Sequence, residues 1–359
     1  MKHRTRPDGD VEPLDLDARE EAILKSVIRQ HILTGEPIGS RAVSRRPQLD
    51  LSPATIRSVM AELEERGLLT QPHASAGRLP TTKAYRLYVD HMIGRPRMDA
   101  EEARAIDEAL DGRRGEITEL LEEASRQLSR FSHQVGVVLG PELRRIVVEQ
   151  VEFVRLDLRR VVAILVGRSG VVHNRILDCA EPLGQAELDR VGRYLTEEFR
   201  GSTLAEIRRR LELRMSEERA AYDRLVARSL ELGHRAVEAQ APEAVVFVDG
   251  TSNLLSQPEF SADPERIKEL MRALDRKKTL IDLLGRVLEE EGLQVVIGDE
   301  HPPSGLPPCT LVAATYGAGG QVMGTLGIVG PTRMEYAQAM ALVEYLAQVI
   351  SRYLTRPGD

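Results

Sequence analysis

The residues whose types and spacing best suit chemistry lie between positions 40 and 78. That chemistry is recognition of a phosphate polymer, not bond making. Ser52 and Pro53 open a helix whose exposed first turns carry Ala54, Thr55, Arg57 and Ser58. Small and hydroxyl side chains there allow close approach to base edges. Arg57 can grip a guanine edge bidentately or pair with a phosphate. The free backbone N–H groups of a first helical turn also suit a phosphate. Upstream, Ser40 is positioned to cap a short helix bearing Arg41, Arg45 and Arg46, three cations that would lie over the nucleic-acid backbone. Downstream, the loop Ala74-Ser75-Ala76-Gly77-Arg78 is built of small residues. Gly77 would give a tight turn, and Arg78 could then enter a groove beside Ser75. The expected DNA-contact set is therefore Ser40, Arg41, Arg45, Arg46, Ser52, Ala54, Thr55, Arg57, Ser58, Ser75, Gly77 and Arg78.

Other constellations are weaker. Asp299-Glu300-His301 resembles a metal cluster, but three adjacent residues before Pro302-Pro303 suit a loop, and no further ligand group completes a shell. His301 and Cys309 form a conceivable nucleophilic dyad with nothing to orient the histidine, so Cys309 reads as a structural thiol. Gly317-Ala318-Gly319-Gly320 fails the dinucleotide pattern because Val322 stands at its third glycine, and it reads as a hairpin turn. No catalytic set emerges, so neither an enzyme nor a cofactor nor a metal is expected.

The elements that position these residues follow from periodicity. Asp17 caps a helix from Ala18 to about Leu33, with Ile23, Leu24, Val27, Ile28 and Ile32 on one face and Gly35 ending it. A short helix spans Arg41 to Arg45. The third helix runs from Pro53, favoured at the first position, to Arg66, and buries Ile56, Val59, Met60 and Leu63. A strand at Leu68–Gln71, the small-residue loop, a return at Leu79–Thr81 and a helix capped by Thr82 complete a winged helix-turn-helix order.

The rest reads as α+β. A helix from about Asp99 to Phe131 precedes strands at 134–139, 146–156, 161–166 and 171–177. Helices follow at 184–199 and 203–239, then a strand at 244–248 and helices at 264–276 and 279–290. Strands at 293–297, 309–316 and 322–329 and a helix at 332–354 end the chain. Hairpins at both ends with a helical middle suggest one sheet domain carrying an insertion.

Composition bounds the reading. The 359 residues carry 49 Lys and Arg against 56 Asp and Glu, a net charge of −7. Residues 22–97 invert that balance, with 12 basic against 6 acidic side chains. A basic module on an acidic body is the asymmetry of one part touching phosphates. Two distant cysteines exclude a disulfide framework and fit a cytoplasmic protein. No apolar run is long enough to span a membrane, and the charged start lacks a secretory h-region. Residues 1–15 read as a disordered extension.

The motifs then become specific. Glu36-Pro37-Ile38-Gly39-Ser40-Arg41, Ser52-Pro53-Ala54-Thr55-Ile56-Arg57, His73 to Thr81 and Tyr85-Arg86-Leu87-Tyr88-Val89-Asp90 together resemble the bacterial heat-inducible transcription repressor HrcA family. Phe247 to Leu255 with Pro258-Glu259-Phe260, and Gly320 to Gly330 with Met334-Glu335-Tyr336, extend the resemblance over about residues 16–355. Ser58 departs from it, standing where the family often has the longer Asn.

The resemblance implies three domains: a winged helix at 16–95, a GAF-like domain at 96–180 and 291–359, and a dimerising insertion at 181–290. It implies a homodimer repressing chaperone operons at the inverted-repeat operator called CIRCE. Repression would depend on a GroE-type chaperonin that unfolded proteins titrate away on heat shock. The alternatives are a GAF-type small-molecule sensor without sequence-specific DNA binding, and a chaperone-dependent scaffold.

Overall fold

The computed structural model describes residues 16–45, 51–73, 75–94, 96–111, 117–141, 147–168, 172–179, 181–217, 229, 231–236, 245–257, 264–289, 292–300 and 309–355. Arg46, Ala74, His301, the 1–15 extension and Pro258–Phe260 lie outside them.

Three helices open the chain: α1 (Ala18–Thr34), α2 (Ser40–Ser44) and α3 (Pro53–Glu65). Asp17 caps α1 as expected. Its carboxylate accepts from the Arg19 and Glu20 N–H groups, and the Glu20 side chain accepts from the Asp17 N–H, a capping box. Gly35 ends α1 at φ 73, a left-handed position that L side chains avoid. Two further caps differ from expectation. Gly39, not Ser40, precedes α2, and Ser40 is the first helical residue. Thr81, not Thr82, caps α4 (Thr82–Leu87), accepting from the Ala84 N–H at 3.3 Å. The chain continues as a wider π-type turn over Tyr88–Met92.

Between α3 and α4, β1 (Leu69–Thr70) pairs antiparallel with β2 (Leu79–Pro80). Ile38 and Arg78 exchange backbone hydrogen bonds of 2.9 and 2.8 Å, tying the segment before α2 to this hairpin.

Two helices, α5 (Ala100–Asp111) and α6 (Ile117–Ser132), occupy the stretch expected as one helix. The body is a five-stranded antiparallel sheet. Its strands are β3 (Val135–Leu139), β7 (Val246–Asp249), β8 (Leu293–Gly298), β9 (Cys309–Ala318) and β10 (Gln321–Gly330), in the order β7-β3-β10-β9-β8. A tight turn at Gly319–Gly320 joins β9 to β10, the hairpin expected there. Both faces are buried, which explains the near-continuous apolar strands. α6 and α11 (Tyr336–Thr355) cover one face, and α9 (Pro264–Asp275) and α10 (Lys277–Glu289) the other.

A separate sheet of β4 (Val148–Arg155), β5 (Arg160–Gly167) and β6 (Val172–Asp178) pairs antiparallel in chain order. With α7 (Gln185–Phe199) and α8 (Leu204–Glu217) it encloses its own core around Phe153, Leu165, Val191, Phe199 and Leu211. Described residues between 148 and 236, which lie in the chain between β3 and β7 and are called the inserted unit below, share this core, whereas α9 and α10 pack on the five-stranded sheet. Alternating burial along β4 and β5 marks a sheet covered on one side only.

Candidate nucleic-acid interface

Ile56, Val59, Met60 and Leu63 turn one face of α3 into a core shared with Ile23, Val27 and Val43 of α1 and α2. That packing fixes which residues face outward. Ala54, Arg57 and Ser58 are exposed, and Thr55 is half-buried. Ser52 holds the helix start: its hydroxyl accepts from the Thr55 N–H at 3.1 Å and lies 2.9 Å from the Thr55 hydroxyl. Ser58 donates to Glu62 at 3.2 Å, one turn along the same helix.

Arg41 and Arg45 are exposed on α2. Among the described residues, Arg41, Arg45 and Arg57 form no ion pair. Other arginines of the same region are neutralised: Arg66 pairs with Glu20 at 2.9 Å and Arg78 with Glu64 at 2.8 Å. Three of the cations expected to meet phosphates and bases, Arg41, Arg45 and Arg57, are thus left without an acid among the described residues, and free charge is what a polyanion can use. Arg29, exposed on α1 and also outside any ion pair among the described residues, joins them. Its place in an otherwise core-directed helix gave no signal beyond its charge.

Three expected contacts sit differently. Ser40 is buried, away from the exposed faces of Arg41 and Arg45. Gly77 has no positive φ; a Cβ there would meet the Ile38 carbonyl carbon at 2.4 Å, so glycine is required by the neighbouring backbone and not by a tight turn. Arg78 is turned onto Glu64, its side chain only 16% exposed. It holds the hairpin against α3 instead of projecting outward. Ser75 is exposed in the loop, which the Gln71 side-chain N–H closes on the Ala76 carbonyl at 2.9 Å.

Glu300, one of the three residues of the suspected metal cluster, has another task. It grips Arg86 of α4, whose Nε donates at 2.8 Å and whose Nη2 lies shorter still on the second carboxylate oxygen. Burial disfavours the guanidinium charge, yet the Glu300 and Asp90 carboxylates hold the Arg86 pKa above its ordinary value. No group of three or more His, Cys, Asp or Glu among the described residues is arranged to hold a metal. Cys309 is buried in β9. A cleft of about 610 Å³ lies between β4 and α7, lined by residues such as Glu149, Gln185, Arg193 and Thr196. Among the described residues, no helix is long and apolar enough to cross a membrane.

Comparison with known proteins sets this geometry in a family. Residues 118–340 match the family model described as HrcA protein C terminal domain. The chain is 42% identical over 340 residues to the heat-inducible transcription repressor HrcA of Geobacter sulfurreducens, covering 95% of this chain and 98% of that protein. It is 37% identical to the Syntrophobacter fumaroxidans protein of the same name, over 96% of this chain and 99% of that one. A crystal structure described as a hypothetical protein, 23% identical and covering 95% of this chain and 99% of its own, superposes with a TM-score of 0.58, a likeness of fold. With a family model spanning more than half its length and relatives matched nearly end to end, the chain belongs to the heat-inducible transcription repressor HrcA family.

Proposed function

We infer that the protein is a negative regulator of heat-shock gene transcription that binds operator DNA through residues 16–95, acting as a winged helix-turn-helix. The named relatives are transcription repressors, and the chain is a regulator and not an enzyme. The observation that carries the DNA reading is the start of α3. It is capped by Ser52, exposes Ala54 and Arg57, and is preceded by Arg41 and Arg45, which form no ion pair among the described residues. Arg57, Ala54, Thr55 and Ser58 contact bases, while Arg41, Arg45, Arg46 and the Ser52 end of the helix contact phosphates. The Ser75 loop forms the wing. Arg78 and Gly77 shape that wing, and Ser40 supports α2.

The operator is an inverted repeat of the CIRCE type. A palindrome needs two recognition helices and hence a two-fold dimer, formed through the inserted unit. The sheet domain is GAF-like, and the protein works in the cytoplasm. A GroE-type chaperonin maintains the competent state, and its diversion to unfolded clients on heating lifts repression. The few kcal/mol that separate folded from unfolded chains make such a fraction steeply temperature-dependent.

Fluorescence anisotropy with a CIRCE-type duplex and a scrambled duplex, at two salt concentrations, tests this reading. Tight binding to the repeat that weakens steeply with salt is expected. Equal binding to both duplexes, or an affinity flat with salt, overturns it. A ligand that raises the melting temperature without any operator binding would instead support a small-molecule sensor.

A further inference from the structure

The N-terminal unit does not hang from the body on a tether. Its core is continuous with one face of the five-stranded sheet, so Tyr85, Tyr88 and Met92 share a cluster with Ile297, Met334 and Tyr336. Apolar contact of this kind is non-directional and leaves room to slide or rotate. Directional bonds from separate chain segments remove that freedom.

The first is the clamp on Arg86, a residue only 5% exposed. It reaches both oxygens of Glu300, the Val295 carbonyl at 2.6 Å and Asp90 at 3.3 Å. Glu300 is itself held, accepting from the Ile297 N–H at 2.9 Å. The second is Arg333, which donates to the Ile32 carbonyl at 2.5 Å in the last turn of α1. Tyr85 adds a packing contact only: its ring lies 5.7 Å from that of Tyr336, while its hydroxyl, 2.6 Å from His31 Nδ1, bonds within the N-terminal unit. Ties to the end of β8 and to the turn before α11, at separate points of the shared core, leave the N-terminal unit one orientation. That orientation leaves Ala54 and Arg57 exposed, so docking does not hide the helix start.

Resting on the DNA reading above, we propose that Arg86 is a positioning residue: its clamp on Glu300 fixes the angle at which each N-terminal unit leaves the body, and so sets the half-site spacing that a symmetric pair of chains accepts. A buried ion pair adds little net stability but demands one geometry, because an unsatisfied buried charge is costly. Half-site spacing is then read by the rigidity of this joint, with no contact to the bases between the half-sites.

The test uses the full-length protein and an inverted-repeat duplex selected in vitro by the wild-type chain. Binding is measured to that duplex and to one with two added base pairs between the half-sites. The wild type is expected to lose about tenfold or more on the insertion. The double substitution Arg86→Met with Glu300→Met removes the buried pair together, and Asp90, which loses its contact with Arg86, is exposed to solvent, so the variant folds. It is expected to lose less than about threefold on the same insertion. Glu300→Gln, keeping one acceptor oxygen, falls between. Hydrogen exchange should speed up at residues 82–93 and 293–300 in the double variant while β9 and β10 stay protected. A spacer penalty in the double variant equal to that of the wild type overturns the proposal. If the wild type selects no duplex, the DNA reading fails. Exchange then decides the clamp alone: unchanged protection at 82–93 overturns it, and faster exchange there upholds it.

Discussion

Single side chains divide into those that stay free and those that the fold consumes. Arg57 was legible from spacing alone: with Ile56, Val59, Met60 and Leu63 turned inward, position 57 has to face out. The fate of Arg78 was not legible, because its partner Glu64 lies on another element and the pairing depends on how the hairpin folds back. Replacing Arg78 by Ala should therefore act through structure. We expect a loss of about 1 kcal/mol in chemical denaturation and weaker binding to every duplex alike, since the partner carboxylate is only partly buried. Arg45→Ala should weaken operator and random DNA by a similar factor, measured by parallel titrations, because a phosphate contact carries no sequence information. Unequal losses would move Arg45 from the backbone to the bases.

Secondary elements show where local signals suffice. Asp17, with Glu20 three residues on, announced its capping box directly, and Ser52-Pro53 did the same for α3. Ser40 misled because Gly39, also tolerated before a helix, took the capping position and left the serine inside. Removing the α3 cap with Ser52→Ala should cost about 1 kcal/mol in thermal unfolding and lower DNA affinity more than that loss of folded fraction accounts for. Asp17 provides a pH test. The Glu20 backbone N–H, the main cause, holds its carboxyl below the usual aspartate range. The cap therefore contributes fully above the unfolded-state value and is lost as pH falls through the lower folded one. Between about pH 5 and about pH 3, wild-type melting should fall further than that of Asp17→Asn. Parallel falls would remove the carboxylate from the account.

At the scale of the whole chain, the alternation of β4 and β5 and the unbroken apolar runs of β3, β9 and β10 are different signatures. That difference was in the sequence and separates the two sheets. Helix periodicity is less informative, because it shows that a face is buried but not which sheet buries it. Nor could any local pattern announce that Glu300 would clamp Arg86 across so much chain. The shared core carries a further expectation. Ile56→Ala, which opens a cavity costing about 2–5 kcal/mol, should lower the melting of the N-terminal unit and of the five-stranded sheet together. Calorimetry resolving two well-separated transitions in the wild type would contradict that coupling.

The most direct measurement is the ratio of affinities for the inverted-repeat and scrambled duplexes, at one salt concentration, in the wild type and in Arg57→Ala. The ratio is expected to collapse by about tenfold or more in the variant, the worth of a bidentate base contact in each half-site. A ratio unchanged by the substitution would mean that α3 does not read the operator.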